Sequence, residues 1–203
     1  MQGRAPYRFM EPLRMSLFLS ANEDDVREAI DMGFAAGHVM GHAAPDDGDM
    51  DLRIAFDFDG VLADDSAERV FQSEGLDGYQ ESESALAEVP LSRGPMADFL
   101  EKINRIQGIE ESKSLDDPSG YRRRVHVAVV TARSAPAHER AINSIGQWGL
   151  RVNDAFFLGG IDKGPILEVL RPHIFFDDQR RHVEGAALST PSVHIPFGAI
   201  NRQ

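Results

Sequence analysis

The chain contains no cysteine. This excludes disulfides and thiolate metal sites, although it says little about compartment. No apolar run approaches the roughly 20 residues that a membrane helix needs. The opening Met-Gln-Gly-Arg-Ala-Pro-Tyr-Arg lacks the apolar core of a secretion signal. A cytoplasmic location is the default expectation, with no membrane partner. Positive charge is scarce: 21 Lys and Arg stand against 33 Asp and Glu, a formal net charge of −12. That balance argues against nucleic acid or an anionic membrane as the main partner. With 203 residues and 42% hydrophobic content, the chain can build one good core and a small accessory lobe.

The most informative stretch is Ile-Ala-Phe-Asp-Phe-Asp-Gly-Val-Leu, residues 54–62. A short apolar run delivers Asp57 and Asp59 to its end, and Gly60 lets the backbone turn. Side chains alternate along a strand, so the two aspartates point the same way if the strand persists. Such a pair suits a nucleophile and an acid/base that share a magnesium ion. Three further pieces follow in order. Val-His-Val-Ala-Val-Val-Thr-Ala-Arg (125–133) is a β-branched run ending in Thr131, which either caps a helix or holds an oxyanion at a strand end. Lys163 follows the loop glycines Gly159 and Gly160. Ile-Phe-Phe-Asp-Asp-Gln (174–179) again ends an apolar strand in carboxylates, Asp177 and Asp178. Taken singly, each piece also fits ordinary turn chemistry.

Strand-like and helix-like stretches alternate along the chain. Strands are expected at 16–19, 37–40, 53–58, 125–130, 155–158, 174–176 and 192–195, with a polar loop over 42–51. Helices are expected at 23–32, capped by Asn22, at 135–145 and at 164–170. The alternation implies an α/β layered fold with a mostly parallel sheet, in which ligands bind at the carboxyl ends of strands. Residues 64–122 break the pattern, with helical stretches at 66–74, 81–87 and 96–106 and no convincing strand. This reads as a helical cap inserted in a core made of 1–63 and 123–203. A lid there would exclude water from the site. Residues 13–26 and 170–183 also resemble each other, with Ser20 and Ala21 standing where the second copy has Asp177 and Asp178.

The ordered set Asp-x-Asp, Thr, Lys and Asp-Asp resembles the four motifs of the haloacid dehalogenase superfamily. Within it, the strings at 16–29, 130–142, 155–164 and 171–179 resemble the cytosolic 5'-nucleotidase I family. The resemblance runs over most of 11–198 and weakens between about 75 and 122. It implies a Rossmann-like three-layer α/β fold with a small cap, and Mg²⁺-dependent hydrolysis of nucleoside 5'-monophosphates. Asp57 would then attack phosphorus and Asp59 would serve as acid and base. Thr131, the backbone at Ala132 and Lys163 would hold phosphate oxygens. Asp57, Asp59 (through its carbonyl), Asp177 and Asp178 would ligate the metal. Arg133 and Ser134, with His138, are candidates for the substrate side, and Phe71 or Tyr79 for stacking on a base; helix capping and cap packing are the alternatives. Phe58 departs from the smaller residue common between the two aspartates and should point into the packing layer. Relatives extend further at the N-terminus, so an outer part of the sheet, or of a homo-oligomer contact, is expected beyond this chain. Three other readings stay open on the residues alone. They are a phosphatase or phosphotransferase for other small phosphomonoesters, a catalytically silent nucleotide-binding module, and a receiver-like domain, which the insertion after the acidic strand disfavours.

Overall fold

The computed structural model describes residues 6–40, 48–187 and 189–201. Seven strands form one sheet: β1 (Phe18–Ser20), β2 (Ala36–Met40), β3 (Leu52–Phe56), β4 (Val125–Thr131), β5 (Asp154–Phe157), β6 (Ile174–Asp177) and β7 (Ser192–His194). Their order across the sheet is β1-β2-β7-β6-β3-β4-β5. The five strands from β7 to β5 are parallel, and β2 runs antiparallel to β7 with β1 parallel to it. The carboxyl ends of β3, β4, β5, β6 and β7 therefore share one end of the sheet. Most of the loop expected over 42–51 lies at 41–47, outside the described residues.

Six α-helices lie among the described residues: α1 (Glu23–Asp31), α2 (Ser66–Ala85), α3 (Ala97–Asp116), α4 (His138–Gln147), α5 (Gly164–Leu170) and α6 (Arg180–Ala186), with short 3-10 helices at Pro6–Phe9 and Ala199–Asn201. Ile54 and Phe56 of β3 face one core with Val26, Leu100, Ile103, Ala141 and Phe176, so α1, α3 and α4 cover that face. Ala55 faces the opposite side with Val130, Leu167, Phe175 and Ala186, under α5 and α6. The result is a three-layer α/β sandwich with a Rossmann-like, mostly parallel sheet. Buried on both sides, β4 reads as an almost continuous β-branched run, as inner parallel strands do. Phe56 and Phe176 stack with centroids 5.1 Å apart and lock β3 to β6.

Local chemistry explains most element ends. The Asn22 side chain accepts from the Asp24 N–H, and Glu23, Asp24 and Asp25 complement the start of α1. Two elements differ from the sequence expectation for tertiary reasons. Strand β3 stops at Phe56 instead of Phe58: the Asp57 N–H makes a last ladder bond to the Phe176 carbonyl of β6, and a tight turn around the Phe58 carbonyl then takes the chain out of the sheet. Helix α3 runs ten residues past its expected end at 106. The buried Glu110 carboxylate holds this extension by accepting the Arg124 and Val125 N–H groups ahead of β4. Earlier in α3, the Asn104 amide donates to the Arg151 carbonyl and accepts from the Arg151 N–H. Within the stretch 64–122, α3 thus lays its apolar face on the sheet. Helix α2 is broken at Gly75 (φ 71°, ψ −167°), and its second half carries Tyr79 and Glu83.

Candidate active site

The site is built at the carboxyl ends of three adjacent strands. Phe56 pairs with Val129 on one side and Phe176 on the other, so the residues that follow these three lie side by side. Asp57 leaves β3, Thr131 closes β4 and Asp177 closes β6. Lys163 stands in the loop after β5, immediately before α5. All four are almost fully buried. The Lys163 ammonium lies 2.7 Å from an oxygen of Asp57 and 2.7 Å from an oxygen of Asp177. The other Asp177 oxygen accepts from the Gln179 N–H at 2.7 Å.

The electrostatics follow from that burial. Loss of hydration pushes the Asp57 carboxyl up to about 6, with Lys163 opposing the rise and Asp177 adding to it. Burial acts on Asp177 in the same sense, but Lys163 and His182 outweigh it and hold that carboxyl below its ordinary value. Asp178 is driven well up by burial and by its neighbours Asp177 and Asp57. Lys163 is held above the ordinary lysine value: burial would lower it, and the two carboxylates more than compensate. Three buried carboxylates stand against one ammonium, with only the His182 ring beside Asp177 to help offset them among the described residues. Asp178 Oδ1, buried, makes no hydrogen bond. An orphaned carboxylate oxygen in an under-neutralised oxygen cluster fits a hard divalent cation. Asp57, Asp177 and His182 offer ligand atoms that all lie within 4.8 Å of one another.

Asp59 is placed differently. It is half-buried, and the Arg133 Nε and Nη2 each donate to one of its oxygens at 2.7 Å. Its carboxylate is thereby turned to Arg133 while staying partly exposed, and its backbone carbonyl is an atom it could offer a metal. Arg133, proposed from the sequence as lining the substrate side, is 3% exposed and spends its guanidinium on Asp59, Glu83 and the Ala137 carbonyl. Thr131 Oγ1 accepts from the Arg133 N–H at 3.3 Å, and Ala132 is exposed beside it. Ser134 is half-buried, its hydroxyl directed at the Ala135 carbonyl. The His138 ring packs edge-on against Phe157. Phe58 points into the core as expected, stacked on Trp148 at 6.0 Å. Phe71 is exposed and meets Tyr79 edge to face.

Several residues of this neighbourhood were not singled out from the sequence. His182 Nδ1 lies 3.2 Å from Asp177 and orients it from the first turn of α6. His194 and Asn201 both reach the Asp178 carbonyl, which steadies the Asp177–Asp178 turn. Glu83 lies in an acidic run that reads as solvated surface, yet it is 1% exposed between Arg133 and Arg140. Only His182 had a sequence signal, its position one helical turn past the carboxylate pair.

Similarity to known proteins agrees with this geometry. The family description "5'-nucleotidase" matches residues 1–202. The chain is 36% identical over 189 residues to human cytosolic 5'-nucleotidase 1B, covering 91% of this chain and 30% of that protein. It thus spans less than a third of the length of that relative. No solved structure matches it significantly. The match runs nearly end to end, across a haloacid-dehalogenase-like sheet whose strand ends carry the acidic cluster, and on that basis the chain belongs to the 5'-nucleotidase family.

Proposed function

We propose that this protein is a Mg²⁺-dependent phosphomonoesterase that hydrolyses nucleoside 5'-monophosphates to nucleoside and phosphate. The observation that carries the reading is the buried Asp57 carboxylate at the end of β3, 2.7 Å from the Lys163 ammonium and beside the acidic pair that ends β6. Asp57 attacks phosphorus, and the bond from phosphorus to the 5'-oxygen breaks as an aspartyl-phosphate forms. Asp59 gives a proton to the departing oxygen. It then takes one from the water that hydrolyses the intermediate, returning both carboxylates to their starting state. Lys163 offsets charge on Asp57 and on the transferring phosphoryl group. Thr131, with the backbone at Ala132, binds phosphate oxygens, and Ser134 faces the substrate side. The metal would be held by the carboxylates of Asp57, Asp177 and Asp178 and by the Asp59 carbonyl. When bound it supplies the positive charge that this acidic site otherwise lacks for an anionic substrate.

The half of α2 beyond Gly75 serves as the cap, with the rest of 64–122 tied to the core through α3. A cytoplasmic location accords with the "cytosolic" in the human relative's name. Among the described residues no helix is long and apolar enough to cross a membrane. The test is phosphate release from nucleoside 5'-monophosphates, 3'-monophosphates and sugar phosphates, with Mg²⁺ and with EDTA. Release that needs Mg²⁺ and favours 5'-nucleotides is expected, and Asp57→Asn should abolish it while the fold persists. Release chiefly from sugar phosphates would overturn the substrate, and turnover retained by Asp57→Asn would overturn the covalent mechanism.

A further inference from the structure

Asp59 is joined to α2 by a buried chain of alternating charges. The Arg133 side chain is 1% exposed; its Nε and Nη2 grip the two Asp59 oxygens at 2.7 Å each. Nη1, on the other side of the same planar ion, donates to Glu83 and to the Ala137 carbonyl. The second Glu83 oxygen takes Arg140 Nη1 at 2.7 Å, and Arg140 Nε donates to the Val89 carbonyl at 2.9 Å. The guanidinium lies over the Phe58 ring at 5.1 Å and the Tyr79 ring at 5.8 Å. The Arg133 guanidinium is thus engaged by Asp59, Glu83 and the Ala137 carbonyl rather than turned to a phosphate. A buried ion network is costly to desolvate and is weak evidence of stabilisation by itself. Its geometry is more informative, because a fork held on both sides by carboxylates and packed against two aromatic rings fixes a rotamer.

We propose that Arg133 is a positioning residue for Asp59, and that Glu83 on α2 aims Arg133, so that the seating of α2 sets the proton transfer to the leaving group. The proposal rests on the nucleotidase reading above. Each Asp59 oxygen has two lone-pair directions, and each Arg133 N–H occupies one. The other direction, on the part of Asp59 that remains exposed, carries the proton that passes to the 5'-oxygen as its bond to phosphorus breaks. Glu83 and Tyr79 both lie beyond the Gly75 break, so the half of α2 proposed above as the cap is also the half that holds the clamp.

The test compares kcat/KM for the best nucleoside 5'-monophosphate with kcat/KM for p-nitrophenyl phosphate, whose leaving group departs without protonation. This ratio stops at leaving-group departure and is blind to hydrolysis of the intermediate. Arg133→Lys keeps the charge and loses the fork. It should lower kcat/KM on the nucleotide on the order of 10²-fold and on p-nitrophenyl phosphate by less than about tenfold. Glu83→Gln, which keeps the shape of the side chain but can accept from only one of the two arginines, should shift the two substrates in the same unequal way, and it carries the test if Arg133→Lys fails to fold. Arg133→Lys combined with Asp59→Asn should be no slower than Asp59→Asn alone, because Arg133 acts through Asp59. Equal losses on both substrates, or losses that multiply in the double variant, would overturn the proposal while leaving the nucleotidase reading intact. Absence of release from either substrate by the unaltered chain would overturn both.

Discussion

Gly60 turns at φ +67°, and a Cβ placed there would come 2.3 Å from an oxygen of Asp178. Two costs then coincide in Gly60→Ala: an unfavourable backbone conformation of about 1–2 kcal/mol and a collision with a carboxylate pinned through its own backbone by His194 and Asn201. We expect a loss of about 2 kcal/mol or more in urea unfolding and a collapse of Mg²⁺-dependent phosphate release. Unchanged stability would mean that the turn has room the geometry denies. Residue spacing makes Gly60 legible as a turn, but not its neighbour, which sits more than a hundred positions further along the chain. The same limit hid Glu83. Nothing in Glu-Ser-Glu-Ser distinguishes the one acid that two arginines bury from those that water solvates.

At the scale of elements, strand ends are legible to within two residues, because apolar runs give way to Asp57, Thr131 and Asp177. Helix lengths are less so. The expected end at 74 matches the break at Gly75, whereas the expected end at 106 follows local polarity and tertiary contacts hold α3 as far as Asp116. The similar stretches 13–26 and 170–183 do form like units, β1 with α1 and β6 with α6. They run in opposite directions, and Arg180 of one reaches Glu23 of the other at 2.6 Å. The start of α2 depends on one buried acid. Asp65 accepts from Arg69 and, at 2.7 Å, from the Ala199 N–H, tying the helix to the turn at Gly198. Burial pushes this carboxyl up, but the Arg69 and Ala199 bonds outweigh it and hold it below its ordinary value. A depressed folded value contributes stability that is complete above the unfolded value, about 3.9, and is lost as pH falls through the folded one. Asp65→Asn should therefore cost about 1–2 kcal/mol near pH 7, discounted for the exposed Arg69, and the gap between variant and parent should close as pH falls through the acid range. Urea titrations across pH 7 to pH 2 check the sign; a gap that widened toward acid would reverse it.

The molecule buries part of its excess negative charge where the fold converges. At a net charge of −12, three carboxylates and one ammonium are packed, almost dry, at the end of β3 and β6. Folding without a cation must therefore either keep like charges together or protonate Asp178, whose carboxyl is already driven upward. A cation bound only by the folded state adds stability by mass action, about 2.7 kcal/mol at a hundred times its Kd. For a chain of this size that is a rise in Tm of about 5–10 °C. Asp178→Asn removes the orphaned oxygen's charge at nearly constant volume. Without Mg²⁺ it should be at least as stable as the parent, since a group that binds at the site's expense has been neutralised. With Mg²⁺ the order should invert, because the variant gains little while the parent gains its full increment. Melting curves in millimolar Mg²⁺ and in EDTA decide it without any reference to turnover. Parallel shifts in both proteins would place the stabilising cation elsewhere on the acidic surface. Crossing curves would show that the acidic cluster at the strand ends is arranged for a charge that the chain itself does not supply.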